Sequence, residues 1–212
     1  MPYAALIDWV GPFGSIGELK AAAANYGVGE TLYLAIGSRP RQRQSHIQYI
    51  GITTNLGSRF NGKHPIQTLL KPSNLRLFVG IVTSQAVAGR KAKHQPVRFS
   101  TPLYLAESAL AFLMEIPLNK DKRCNPPRDS VVVVNRWYRA DFETRRRRRP
   151  HPDWPDLVEF DSDEFIGDLA WHGRRRQHLS AASVAEIGDC ARRELAAARA
   201  ARAAAELALI EA

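Results

Sequence analysis

The sequence predicts a mixed α/β domain over residues 1 to about 140 and a helical extension over 141–212. Three observations carry that expectation. Hydrophobic residues make up 45% and charged residues 24% of the 212, the balance of a folded soluble chain with a core. Between Ser15 and Trp137, runs rich in Tyr, Ile, Leu, Val and Thr alternate with capped helical patterns. Past residue 144 the character changes to arginine runs, an acidic stretch and an Ala-rich tail.

Taken in order, Ser15 with Glu18 has the spacing of a capping box, and Leu19 to Tyr26 runs through helix formers to a stop at Gly27. Thr31–Gly37 and His46–Thr54 read as strands, joined by the basic hairpin loop SRPRQRQS. Asn55 can cap a helix through Leu56, Arg59 and Phe60 that Gly62 interrupts. Asn74–Thr83 is a third strand. Thr101-Pro102 opens a helix over Pro102–Ile116, which Pro117 closes, and Ser130–Trp137 is a last buried strand. Arg145–Arg149, the acidic stretch Asp153–Glu164 and Arg174–Arg176 then lead to a helix from Ser180. There Ser183 and Glu186 repeat the capping spacing, and Val184, Ile187, Ala191 and Leu195 form one apolar stripe.

Charge and composition exclude several function classes. No apolar run approaches the roughly 18 residues of a membrane span. The opening MPYAALIDWVGPF has no basic leader and carries Asp8, which argues against a secretory signal. Cys124 and Cys190 are too few for a disulfide framework or a closed zinc site, so a reduced, cytoplasmic setting is expected. The net charge of +9 lies wholly in residues 1–144. No acidic residue stands between Glu30 and Glu107, where eleven Lys or Arg occur. That suggests a folded surface that meets phosphates, against the alternative of a generally Arg-rich composition, which would not explain the missing acids. The run Arg145–Arg149 reads two ways: a nucleic-acid contact, or a segment neutralised by the acids that follow it.

Two constellations could carry chemistry. Glu107, Leu110, Ala111 and Met114 share one helical face, so the Glu107 carboxylate points toward the core or its rim and needs an Arg, a Lys or a metal beside it. Tyr33 and Tyr49, sixteen residues apart, can sit side by side in a hairpin, with Arg59 pointing back toward them. A phenol can orient or deprotonate water, a guanidinium can clamp phosphate oxygens, and a carboxylate can hold a divalent ion.

Tyr49-Ile50-Gly51, then Asn55, then Arg59 ten residues after Tyr49, and finally AESALAFLMEIPLN with Glu107, Pro117 and Asn119, stand in an order that resembles the GIY-YIG nucleases. The resemblance spans about Thr31 to Asn119, less than half of the chain. Of the first motif only Tyr33 survives, within Leu32-Tyr33-Leu34, and the hairpin after it is longer than usual. Where the family often has a histidine or tyrosine on the helix after its arginine, this chain has Lys63, with His64 one place later. One residue turns a side chain about 100° round a helix, so His64 can serve only if Gly62 breaks the helix.

The resemblance implies a small, mainly antiparallel sheet flanked by helices and a divalent-metal-dependent endonuclease acting on DNA. Glu107 would bind one Mg²⁺ or Mn²⁺ and Arg59 would neutralise charge on the phosphorus. Tyr33 or Tyr49 would orient or deprotonate the attacking water. Asn119 would steady the helix end, and His64 would shuttle protons. Arg39, Arg41, Arg43, Lys63, Lys91 and Lys93 are the expected nucleic-acid contacts. A rival reading is a non-catalytic nucleic-acid-binding module on the same fold. A third is a scaffold whose C-terminal helix pairs with a partner, a second copy of the chain included.

Overall fold

Alternation of β-branched and aromatic residues with capped helical segments yields fourteen elements in a computed structural model, which describes residues 2–86, 101–173 and 175–210. They are β1 (Tyr3–Phe13), α1 (Ile16–Asn25), β2 (Thr31–Gly37), β3 (His46–Thr53), α2 (Leu56–Arg59), α3 (Pro65–Leu69), a 3₁₀ turn (Pro72–Asn74), β4 (Arg76–Ala86), α4 (Thr101–Leu113), β5 (Val131–Tyr138), β6 (Leu157–Asp161), β7 (Ile166–Trp171), β8 (Arg175–Leu179) and α5 (Ala181–Ile210). One eight-stranded sheet runs β3-β2-β4-β1-β5-β6-β7-β8. Every neighbouring pair is antiparallel except β1 with β5.

Helices cover both faces, so β2 is buried at all seven positions, and its unbroken apolar run TLYLAIG follows. On one face Ile7, Trp9, Leu34, Ile36, Phe78, Val131, Val133 and Val158 meet Leu103, Ala106 and Leu110 of α4 and Val184 of α5. On the other, Val10, Tyr33, Ala35, Leu77 and Val79 meet Leu19 and Ala23 of α1, Leu56 of α2, Phe60 just after it, and Ile66 of α3. Gly80, the cross-strand partner of Trp9, leaves room for the indole: a Cβ there would lie 2.7 Å from the Trp9 ring.

Local signals in the first half translate closely. Ser15 Oγ accepts from Glu18 N at 3.1 Å, and Asn55 Oδ1 accepts from Ser58 N at 3.2 Å. Three expectations need correction. The sheet is larger than a small GIY-YIG-like one, and β1, which no pattern singled out, is a central strand of it. Residues 141–179 are not a linker but a loop and three strands that continue the sheet from β5. Trp154 in that loop is fully buried, with Trp9, Phe78 and Trp137 edge-on at 5.0, 5.3 and 5.9 Å. Its burial pins the loop to the core and stabilises it by about 2–3 kcal/mol. The N-cap of α5 is Ser180, whose Oγ accepts from Ser183 N, rather than Ser183 itself. The α5 stripe docks at Val184, Ile187 and Ala191 and is half-buried at Leu195, after which residues 196–206 are exposed. Among the described residues no helix is long and apolar enough to cross a membrane.

Candidate active site

The centre of the site is the Tyr33 hydroxyl, which the turn chemistry downstream of β3 surrounds. Asn55 starts α2 and so places Arg59 in its last turn, where Arg59 Nε donates to Tyr33 Oη at 2.7 Å. Gly62, at φ +85°, reverses the chain, a conformation that glycine adopts without strain. α2 has already ended at Arg59, because Phe60 is extended at φ −95° and ψ 94°, and after the turn His64 begins α3 as its N-cap. His64 Nδ1 accepts from Ile66 N at 3.3 Å, and Nε2 lies 3.0 Å from Tyr33 Oη. A ring nitrogen that accepts a backbone N–H carries no proton, so the neutral ring holds its hydrogen on Nε2 and donates it to Tyr33. The Tyr33 oxygen thus receives two donors.

Tyr49 completes the group, stacked on Tyr33 at 5.8 Å and 23°, with its ring 4.9 Å from His64 and edge-on to it. Gly51 makes the arrangement sterically possible. It lies directly across the ladder from Tyr33, and a Cβ there would stand 2.6 Å from Tyr33 Cζ and 2.9 Å from Tyr49 Cε1. Tyr33 is fully buried, Tyr49 half-buried and Arg59 exposed. Burial, then the neighbouring Tyr49, raise the Tyr33 phenol far above its ordinary range, with Arg59 opposing, so it stays protonated. Burial and then the Arg59 charge pull His64 down to about 4, so it stays neutral.

Glu107 approaches from the opposite face of the sheet. It is buried on α4 beside edge strand β3, whose Ile50 and Ile52 face α4 while Tyr49 and Gly51 face α2. Lys122 Nζ lies 2.8 Å from Glu107 Oε2, 3.4 Å from Ser108 Oγ and 3.8 Å from the Tyr104 ring centroid. Burial raises the Glu107 carboxyl, opposed by Lys122, by the charge of Arg59 across the strand and by the Ile52 backbone. The cation that the apolar helix face called for is therefore a lysine. No sequence signal pointed to Lys122, because it lies beyond the end of α4 and outside any helical period.

Asn119 explains how that lysine is delivered. Its side chain accepts from Ile50 N at 2.9 Å and donates to Ile50 O at 2.6 Å, while Leu118 N donates to Gln48 O at 3.0 Å. The segment after α4 thus covers the free edge of β3 as another strand would. Asn119 is buried and bonded both ways to Ile50, so it positions the edge strand. His64, with both ring nitrogens engaged, likewise positions Tyr33 and is not placed to shuttle protons. Of the expected nucleic-acid contacts, Arg41, Arg43 and Lys63 are exposed and Arg39 half-buried. Lys91 and Lys93 lie outside the described residues.

The structure thus brings Tyr33, Tyr49, Arg59 and His64 into one cluster and sets Glu107 across the edge strand from it. No protein-family model, curated protein or solved structure matches this chain.

Proposed function

We propose that the chain is a divalent-metal-dependent endonuclease that hydrolyses DNA phosphodiesters at a GIY-YIG-type site. The observation that carries the reading is the convergence on one phenol of Arg59 and His64, from separate short helices, with Tyr49 stacked alongside. A buried phenol needs a hydrogen-bond partner, but two donors brought from separate elements exceed what burial alone requires.

The roles follow from exposure and hydrogen bonding. Arg59 donates Nε to Tyr33, has Tyr49 as a further side-chain partner and presents the rest of its exposed fork to phosphate oxygens, which a planar guanidinium takes two at a time. Tyr33, fully buried, holds that guanidinium in place. Tyr49 is the phenol that reaches the surface, so it orients the attacking water by accepting its O–H. His64 fixes Tyr33 through its Nε2 hydrogen.

Glu107 would hold the Mg²⁺ or Mn²⁺. Among the described residues no three His, Cys, Asp or Glu gather, but magnesium commonly takes one carboxylate, with waters and substrate phosphate completing its shell. A buried carboxylate that already draws a cation to 2.8 Å fits that use, with Lys122 as the competitor. The ion when bound would supply charge stabilisation for the scissile phosphate and leaving group.

The test is supercoiled plasmid nicking with Mg²⁺. Wild-type protein nicks, whereas Glu107→Ala and Arg59→Ala lose at least a hundredfold, about 2.7 kcal/mol of transition-state stabilisation. Undiminished nicking by Glu107→Ala removes the metal role. The Lys122 pair favours a second reading, a non-catalytic nucleic-acid-binding module, which predicts salt-sensitive DNA binding without metal-dependent turnover.

A further inference from the structure

At the end of the sheet where β1, β2 and β5 finish and β3 and β4 begin, two basic segments distant in sequence come together. The loop between β5 and β6 is fastened across that end. Arg146 N donates to Trp137 O at 2.7 Å and Arg146 Nη1 to Gly11 O at 3.2 Å. Arg76 Nη1 donates to Pro150 O at 3.4 Å. His151 Nδ1 accepts from Asp153 N, which leaves the hydrogen on Nε2 to donate to Ser45 O at 3.0 Å. That last bond joins the arginine loop to the β2–β3 loop, which carries Arg39, Arg41 and Arg43.

The loop borders a concave pocket of about 660 Å³ lined by Arg136, Trp137, His172, the whole run Arg145–Arg149 and two acceptor-bearing side chains, Asn135 and Asp156. Its charge is cancelled only in part by the acids that follow. Asp156 takes Arg149 at 2.5 Å, and Asp8 takes Arg136 at 2.6 Å. Asp161 accepts from the backbone of its own turn, and Asp168 faces Arg176 and His178. Arg145, Arg147 and Arg148 are exposed, with no side-chain partner among the described residues. The pocket walls also hold two buried N–H groups without an acceptor, Arg149 Nε and Trp137 Nε1. Asp156 Oδ2 is taken by Arg149 and His172 N, and Asn135 Oδ1 by Trp9, so the groups left on the surface are chiefly donors and positive charge, which suit an oxyanion.

The form of that oxyanion follows from layout. Positive charge continues from the pocket past Arg76 to the β2–β3 loop, along one end of the sheet. The large hydrophobic side chains that stand exposed among the described residues, Tyr26, Leu69, Tyr104 and Phe165, do not line the pocket, so there is no apolar anchor for a lipid surface. Arg136 also shares a sheet face with Tyr33, through the register Tyr33–Val79–Val10–Tyr138 and the Asp8–Arg136 pair.

We propose that the Arg145–Arg149 groove is a second phosphate-binding surface that holds the backbone of a nucleic acid away from the bond to be cut. The proposal rests on the nucleic-acid part of the reading above and not on catalysis. Its test is binding of a fluorescent DNA duplex by anisotropy across a salt series, with wild-type protein and two charge-matched double variants. Arg147→Gln/Arg148→Gln is expected to weaken binding at least tenfold and to reduce the slope of log affinity against log salt by about 2. Arg199→Gln/Arg202→Gln, on the exposed part of α5, should leave both unchanged. That result supports the groove whether or not the protein nicks plasmid. An Arg147→Gln/Arg148→Gln protein that binds as wild type overturns the groove and leaves the nicking result untouched. Equal losses in both double variants, or binding to phosphatidylserine vesicles without binding to duplex, overturn it too.

Discussion

Acid should loosen this fold through His64, and a single substitution should remove that part of the response. The ring sits buried at the start of α3 with Nδ1 facing the Ile66 N–H and the Arg59 charge close by. A proton added to Nδ1 meets another donor, breaks the cap and places two cations together. An unfolded chain takes up that proton near pH 6.5, whereas the folded one resists to about pH 4. Above the window the stability from the neutral ring is complete. As pH falls through it, the unfolded state binds more protons and stability is lost. Between about pH 7 and about pH 4.5 the linkage amounts to roughly 2 to 2.5 kcal/mol. Urea unfolding of wild type and His64→Asn at both pH values measures it, since Asn preserves a capping oxygen and cannot titrate. Carboxylates contribute alike to both proteins, so the wild type should lose that much more than the variant. Equal losses would refute the assignment of a buried, Nε2-protonated ring.

Other outcomes follow from single contacts. Gly51→Ala drives a methyl into the Tyr33 ring, so the fold should survive with about 1–3 kcal/mol lost in urea unfolding while nicking falls at least tenfold. Lys122→Met leaves Glu107 buried without its cation and should cost about 1–3 kcal/mol. Added Mg²⁺ should then raise the Tm of that variant more than that of wild type, and no rise in either would remove Glu107 as a ligand. Trp154→Ala should cost about 3–5 kcal/mol by denaturant titration, because the loop bearing the arginine run loses its anchor. Removing residues 200–212 should shift the Tm by no more than about 1 °C, since residues 200–206 are exposed and the Arg202–Glu206 pair is internal to the segment.

Strand β2 was readable to the residue and β3 to within one, because a strand bounded by turn residues announces itself locally. So did the caps Ser15 and Asn55. The strand β1 did not: its partner β5 lies some hundred and thirty residues away, and nothing nearby marks Tyr3–Phe13 as central. In β6 the alternation of Val158 and Phe160 with Glu159 and Asp161 was present, but the acidic composition around it read as linker. At the site, Tyr33, Tyr49, Arg59 and Glu107 were singled out from residue type and order. Their separation into a hydrogen-bonded cluster and a carboxylate paired with Lys122 was not readable, because it depends on which side of the β3 edge each element crosses.

Residue order alone determined the hairpin, the turn at Gly62 and the inward turn of Glu107, since each follows from backbone preference or helical period within a few residues. Only the folded chain decided that His64 reaches Tyr33, that Asn119 seals the edge of β3 and that the arginine run joins the basic hairpin. Those pairings close loops of thirty to more than a hundred residues, and their geometry is set by the sheet between them rather than by any local propensity.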